Sequence, residues 1–179
     1  YSSVAGVIQV AALEREGVAV LKAVHPLLDA IQLQRAAALG MKMEFISDKV
    51  GQASAIKMFR SVVVKGLEAL LVESMTASAE YGVEARVLAS LQETWPGIDW
   101  EKLAGYMIER VVSHGKRRAA EMREVSATLE SIGMEPVMSA ASAVRQQWIA
   151  DLGVKERLKG RKTEDRADLV RAIREAMGK

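Results

Sequence analysis

The chain has 179 residues, of which 50% are apolar, and its 25 basic and 23 acidic residues leave a net charge of +2. That length suits one domain, or one domain and part of another, with ample apolar material for a core. The absence of cysteine excludes disulfides, thiolate catalysis and zinc–cysteine sites, and two histidines disfavour a histidine-rich metal site, so we expect no metal. No uncharged apolar run reaches about 18 residues and no signal peptide is evident, which predicts a cytoplasmic protein that does not cross a membrane.

Residues 1–50 have the mixed character of an α/β region. Val4–Val10 and Gly17–Leu21 are short and rich in alanine and β-branched residues. Pro26 favours the start of a helix. Residues 41–46 alternate Met and Phe with Lys and Glu, which predicts a short, half-exposed strand. We interpret this region as the remnant of an α/β domain.

After residue 50 the pattern is helical throughout. A long helix is predicted at 52–81, where there is no proline and only one glycine, Gly66. Apolar residues cover most of its circumference, so we expect it to be buried on nearly all sides. Further helices are predicted at 83–94, 100–114, 116–132 and 136–152. The fold class predicted for the chain is therefore mainly α, a multi-helix domain at 51–154 built on a long central helix.

The segment 155–179 differs, because it carries nine basic and five acidic residues. Thr163 favours the start of a final helix with Leu169 and Ile173 on its apolar face. This pattern predicts a charged C-terminal helix that packs on the body of the protein. Nucleic acid or an acidic partner is the less favoured alternative, because the basic residues alternate with acids and no aromatic residues accompany them.

A polar group interrupts the long apolar helix near its start. Lys57 and Ser61 share one face, with Ser54 a turn earlier and Arg60 alongside. A solitary lysine on such a helix usually extends to the surface or pairs with a carboxylate. The functional alternative is a general acid/base, since a partly buried lysine exchanges its proton more readily.

The segment from Gly51 to Ser61 resembles the motif G-x-G-x-x-x-K-x-x-x-N of the β-hydroxyacid dehydrogenase and 6-phosphogluconate dehydrogenase superfamily. In that superfamily the motif joins a Rossmann domain to an all-helical C-terminal domain. Gly51 matches the first glycine, and Ala53 stands where the second usually lies. Lys57 matches the catalytic lysine, and Ser61 replaces the asparagine. The resemblance extends over about residues 40–152, to a subgroup with a divergent C-terminal domain.

The resemblance implies a substrate-binding and dimerisation domain of an NAD- or NADP-dependent oxidoreductase acting on a hydroxy acid or related alcohol. It implies that residues 1–50 are the end of a Rossmann-like domain and that the long helix forms a homodimer. Lys57 would be the general acid/base at the carbon that exchanges hydride with the cofactor. The other implied contacts are Ser54, Arg60 and Ser61 with a substrate that we expect to be anionic, and Gly51 and Ala53 with the cofactor.

A second polar group follows in the chain, at His114, Arg117, Arg118 and Glu121, which share one helical face. In the family that the chain resembles, the corresponding helix approaches the active site, which makes His114, Arg118 and Glu121 candidate substrate contacts. An arginine pair would hold a carboxylate or phosphate through bidentate bonds. The alternative is an exposed charged face in which Glu121 pairs with both arginines at little gain in stability.

The dinucleotide fingerprint G-x-G-x-x-G is missing, because no two glycines of the chain are separated by a single residue. The cofactor-binding half is therefore absent, degenerate or encoded upstream of Tyr1, and we do not expect this chain to turn over substrate alone. The substitutions at Ala53 and Ser61 also leave open a non-catalytic helical dimerisation or scaffold module of the same fold. A helix-turn-helix nucleic-acid binder around Ser78–Leu91 is a further, disfavoured alternative.

Overall fold

A computed structural model describes residues 11–15, 18–22, 38–39, 42–43, 52–158 and 163–178. Backbone contacts divide the chain into two compact units, Tyr1–Arg60 and Ser61–Lys179, and each is described by itself. The segment Val4–Val10 and nearly all of the helix predicted from Pro26 lie outside the described residues. The boundary between the units falls inside the long helix, so the division at residues 50 and 154 stays a prediction.

The first unit contains a small mixed sheet of order β1-β2-β3. Strands β1 (Ala11–Arg15) and β2 (Val18–Lys22) form an antiparallel hairpin, and β3 (Lys42–Met43) pairs with β2 in parallel. A parallel pair needs a connection of a dozen or more residues, and the chain between β2 and β3, residues 23–41, is long enough for one. Of the strand predicted at 41–46, residues 42–43 form β3, and the other four lie outside the described residues.

The long helix α1 spans Gln52–Ala79, close to the predicted 52–81. Its two halves differ in burial. Among the described side chains of residues 52–67 none is buried, whereas most side chains of residues 68–79 are. The expectation of a helix buried on nearly all sides is therefore wrong for its first half, where apolar side chains such as Val63 are exposed.

The rest of the second unit is helical, which confirms the mainly α fold class. The helices are α2 (Glu84–Thr94), α3 (Trp100–Ser131), α4 (Val137–Asp151), α5 (Val154–Arg157) and α6 (Arg166–Ala176). Asp99 and Asp165 cap α3 and α6, because each side chain accepts a backbone N–H three residues ahead. Gly82 and Gly133 follow α1 and α3 with positive φ of 64° and 79°, a conformation that glycine adopts without strain.

The prediction that a helix ends at His114 and another begins at Lys116 is wrong, because α3 is continuous through Gly115. A glycine inside a helix costs about 1 kcal/mol relative to alanine, so its position calls for a packing reason. A Cβ added at Gly115 would lie 2.7 Å from the backbone oxygen of Gln146 on α4. Gly115 therefore allows α3 and α4 to approach closely and does not end the helix.

The core of the second unit joins the second half of α1 to α3, α4 and α6. Leu169, Val170 and Ile173 of α6 are buried in it, and Arg166 pairs with Glu101 of α3 at 2.8 Å. The predicted C-terminal helix that packs on the body is thus observed. Among the described residues, no helix is long and apolar enough to cross a membrane.

Candidate functional site

The polar residues predicted near the start of the long helix lie within its first three turns. Lys57 falls in the second turn and its side chain is exposed, as is that of Arg60. Ser54 and Ser61 are half-buried. Within this chain Lys57 is thus more exposed than the partly buried lysine that general acid/base catalysis was expected to require.

The two small residues of the motif fall where the structure describes little. Gly51 lies outside the described residues, and so does the side chain of Ala53. Their contact with a cofactor stays a prediction, as do the roles of the four polar residues. Among the described residues, no cluster of three or more histidine or carboxylate side chains has the arrangement of a metal site.

The second candidate group occupies the middle of α3, and the structure divides it between surface and interior. His114 and Arg117 are exposed, Glu121 is half-buried, and Arg118 has only 2% of its surface exposed. The arginine pair inferred from spacing is therefore split, with one member in solvent and the other inside the protein. The contact of Arg118 with a substrate stays a prediction.

Glu68 of α1 receives the buried arginine. The carboxylate of Glu68 is fully buried. Its Oε2 lies 2.9 Å from Nη1 of Arg118, and its Oε1 lies 3.5 Å from Nε of Arg110. Arg118 Nε also donates to the backbone oxygen of Arg110 at 3.2 Å. Gln146 of α4 joins this group, since its Nε2 donates to the carbonyl oxygen of Lys65 at 3.2 Å. Side chains of α1, α3 and α4 thus converge on one buried carboxylate.

Burial determines the electrostatics of this group. Desolvation raises the pKa of Glu68 above its usual value, and the charges of Arg118, Arg110 and Lys65 oppose that rise only in part. Desolvation likewise lowers the pKa of Arg118, against the attraction of Glu68. An arginine nevertheless keeps its charge in proteins, so Arg118 needs its partner inside the core.

Glu121 links the long helix to the exposed face of α3. Its two carboxylate oxygens lie 2.5 Å from Nζ of Lys65 and 3.1 Å from Nη1 of Arg117. Burial alone would raise the pKa of Glu121, but the hydrogen bond and charge of Lys65, with the charge of Arg117, lower it overall. The predicted Arg117–Glu121 pair is present, whereas Arg118 forms its ion pair with Glu68.

Sequence reasoning missed Glu68 as the centre of this group. The available signal was that Glu68 lies on the same helical face as Leu71, Val72 and Met75, which are all buried. A carboxylate on such a face has to pair with a cation when the helix packs. Which of the many cations of the chain would reach it was not readable from spacing along one helix.

A pocket of about 600 Å³ opens beside His114. Side chains of α3, α4 and α5 line it. Burial and the neighbouring charges of Arg117 and Arg118 lower the pKa of His114, which favours its neutral form at neutral pH. The pocket thus combines a neutral imidazole with nearby cationic side chains.

The second unit is thus a helical domain in which polar side chains of α1, α3 and α4 meet around one buried carboxylate. A family model, a domain of unknown function called DUF1932, matches residues 78–149. This domain is a C-terminal domain of 3-hydroxyacid dehydrogenase-like proteins. The resemblance to the β-hydroxyacid dehydrogenase type of helical domain is thereby confirmed.

The chain is also similar to two solved structures and one curated relative. A conserved hypothetical protein from Sinorhizobium meliloti 1021 is 35% identical, with a TM-score of 0.72 over 88% of this chain and 52% of that one. The conserved protein MTH1747, described as structurally similar to 3-hydroxyacid dehydrogenases, is 32% identical, with a TM-score of 0.64 over 74% of this chain and 50% of that one. An uncharacterized 28.5 kDa protein in the 7S RNA 5′ region of Methanothermus fervidus is 33% identical over 102 residues, which are 55% of this chain and 39% of the relative. The chain thus spans about half the length of these proteins or less.

Proposed function

We propose that this chain is the substrate-binding and dimerisation domain of an NAD- or NADP-dependent oxidoreductase that acts on a hydroxy acid or related alcohol in the cytoplasm. The observation that carries the proposal is the position of Lys57. The motif lysine lies in the second turn of the long helix, in a chain that contains the helical domain of hydroxyacid dehydrogenase-like proteins. MTH1747 supports the reaction class by its described similarity to 3-hydroxyacid dehydrogenases.

Lys57 has a proton-transfer role in this proposal. When a carbonyl substrate is reduced, the Lys57 ammonium donates a proton to the oxygen, and in the reverse reaction the neutral amine removes the proton from the hydroxyl. The nicotinamide cofactor, when bound, supplies or accepts the hydride. Ser54, Ser61 and Arg60 lie on the same or adjacent faces of α1, where a hydroxyl or a cation would hold the substrate.

The residues of this chain do not provide the glycine-rich turn that cradles a dinucleotide, since no two glycines are separated by one residue. We therefore assign cofactor binding mainly to a domain outside this chain, with Gly51 and Ala53 close to it. The exposure of Lys57 in this chain supports such an arrangement, because a second domain would provide the missing burial.

A homodimer along α1 is part of the proposal. Ile56, Phe59, Val63 and Leu70 are exposed apolar side chains of this helix. Their spacing of three, four and seven residues is the heptad spacing of helices that pack side by side. Such a row of exposed apolar side chains gains stability when a second copy of the helix covers it.

The test is turnover of the protein encoded by the whole gene, including any sequence before Tyr1, with a panel of hydroxy acids and both nicotinamide cofactors. Lys57→Ala should lower kcat by roughly a hundred- to ten-thousandfold, the usual contribution of a general acid/base, and binding of the cofactor should persist. Lys102→Ala on α3 is the matched control, because Lys102 is also an exposed lysine near a helix start. Its turnover should equal that of the wild type.

Two outcomes would contradict the proposal. Turnover that survives in the Lys57→Ala variant would remove Lys57 from the chemistry. A full-length protein that neither binds a nicotinamide cofactor nor oxidises any hydroxy acid would favour the alternative, a non-catalytic helical dimerisation or scaffold module of the same fold.

A further inference from the structure

The pocket beside His114 has the size and construction of a small-molecule site. Its volume of about 600 Å³ falls within the usual 300–1,000 Å³ of ligand pockets. Three helices of the second unit contribute to it, so it does not depend on a single helix end. All of its lining residues belong to that one compact unit.

The floor of the pocket is apolar and firmly built. Ile149 and Ala150 of α4 and Val154 of α5 line it, and Ile149 and Val154 are each 1% exposed. Gly115 lets α4 approach α3 closely at this point, because a Cβ there would collide with the backbone of Gln146. An apolar ligand body would therefore meet a surface whose shape is set by the packing of three helices.

The rim of the pocket is cationic. Lys116 and Arg117 of α3 and Lys155 of α5 line it, against one carboxylate, Glu156. The Nζ of Lys155 donates to the backbone oxygen of Ser113 at 3.4 Å, which holds this ammonium over α3. The lining residues carry three positive charges and one negative charge, and Glu121 next to the pocket offsets part of the charge of Arg117. The remaining positive charge attracts an anion to the pocket.

The lysines of the rim are not needed to neutralise the buried carboxylate of Glu68, so their charges face the pocket. Arg118 points away from the rim and pairs with Glu68 in the core, so the buried carboxylate is matched without drawing on the rim lysines. Glu121 is shared between Lys65 and Arg117, which leaves Arg117 63% exposed and positioned by one ion pair. His114 also lines the pocket, and its neutral imidazole adds a group that can form a hydrogen bond with a ligand.

We propose that this pocket binds a small organic anion, with its apolar body on the floor of Ile149 and Val154 and its phosphate or carboxylate group among Lys116, Arg117 and Lys155. This inference goes beyond the proposed function, because the pocket is lined by α3, α4 and α5 and includes none of the α1 residues that the proposed function assigns to the substrate. The sequence had suggested Arg118 as a contact for an anionic ligand, but Arg118 lies in the core. In this proposal the anion contacts are Arg117, Lys116 and Lys155 instead.

The experiment is a calorimetric titration of the 179-residue chain with phenyl phosphate, which has an apolar ring and an anionic group. Inorganic phosphate and phenol are titrated in parallel, and benzoate is compared with phenyl phosphate to distinguish a phosphate from a carboxylate site. Phenyl phosphate or benzoate should bind more tightly than both inorganic phosphate and phenol. Lys155→Ala and Arg117→Ala should each weaken that binding by about tenfold, since each removes one cation from the rim.

Arg123→Ala is the matched control, because Arg123 is also an exposed arginine of α3 but lies outside this pocket. Its affinity should equal that of the wild type. The proposal is overturned if neither organic anion binds at about 10 mM, well above a millimolar dissociation constant, or if Arg123→Ala weakens binding as much as Arg117→Ala. Lys57→Ala should leave this binding unchanged, so loss of the proposed oxidoreductase activity and loss of the anion site are separate results.

Discussion

The two halves of the long helix α1 are equally apolar in sequence but differ in their surroundings. In residues 52–67, Ile56, Phe59 and Val63 are exposed, and Val63 has 71% of its surface in solvent. In residues 68–79, Val72 and Met75 have no exposed surface. The second half contributes to the core of the helical unit, while the first half carries the motif lysine and three of the four residues of the exposed apolar row.

This difference shows what apolar periodicity measures. A run of apolar side chains predicts a helix that gains stability by burial, but it does not specify whether the covering surface belongs to the same unit, another domain or another copy. The one buried charge of the second half, Glu68, has its partner inside this chain. The three predictions below test the contrast between the halves in order of decreasing expected effect.

The largest effect on stability is expected for the ion pair between Glu68, in the buried half of α1, and Arg118 of α3. Arg118→Ala should lower the free energy of unfolding by about 3–5 kcal/mol, because it leaves the Glu68 carboxylate buried without its closest cation. Urea unfolding followed by circular dichroism measures the change. Arg117→Ala, one residue earlier on the exposed face, should change stability by less than about 0.5 kcal/mol.

The double variant Glu68→Leu with Arg118→Met distinguishes a buried charge from lost packing. It should recover much of the stability lost in Arg118→Ala, because it removes both charges and keeps the volume. A single variant Arg118→Ala that unfolds at the wild-type urea concentration would show that Glu68 is not held by this pair.

Replacing a valine by alanine should lower the free energy of unfolding more in the second half of α1 than in the first, although both effects are smaller than that of Arg118→Ala. Val72→Ala removes two fully buried methyl groups and should cost about 2 kcal/mol, from about 0.8 kcal/mol per group and a cavity contribution. Val63→Ala should cost less than about 0.5 kcal/mol at concentrations where the chain is a monomer. Equal costs from thermal or urea unfolding would mean that the first half of α1 is buried after all.

The smallest expected effect concerns association. Val63→Lys should weaken self-association of the chain by about tenfold or more, since it places a charge in the centre of the proposed helix-to-helix contact. Analytical ultracentrifugation over a concentration series measures the dissociation constant. Val144→Lys is the control, because Val144 is an equally exposed valine that lies on α4 and not in this row, and it should leave the dissociation constant unchanged. A wild-type chain that stays monomeric at every concentration would remove the homodimer from the proposal.

Much of the fold of the second unit could be read from the sequence. The predicted helices at 83–94 and 136–152 differ from α2 and α4 by at most one residue at each end, because Gly82, Pro96 and Pro136 mark their limits. Gly115 was misread as a similar limit. The same residue type ends a helix when it adopts positive φ, as Gly133 does, and permits close packing when it stays helical. Only the position of α4 distinguishes the two.

The candidate site was predictable to a lesser degree. The spacing of His114, Arg117, Arg118 and Glu121 identified one face of a helix, and that face is where the polar network lies. Because 3.6 residues make a turn, adjacent residues point about 100° apart, so Arg118 enters the core while Arg117 stays in solvent. Lys155 was missed, since it comes from a separate short helix whose approach to Ser113 no local pattern encodes.

The sequence by itself determined the local features of this protein, namely where most helices begin and end, which faces are apolar, and that Lys57 lies near the start of a long helix in a segment that resembles a family motif. These depend on interactions between residues a few positions apart, which the order of residues specifies directly. The tertiary structure alone decided that Glu68 pairs with Arg118, that Gly115 lies at a helix crossing, and that a cationic rim surrounds an apolar pocket. Each of these depends on contacts between residues far apart in the chain, and one sequence pattern is compatible with many such pairings until the core is packed.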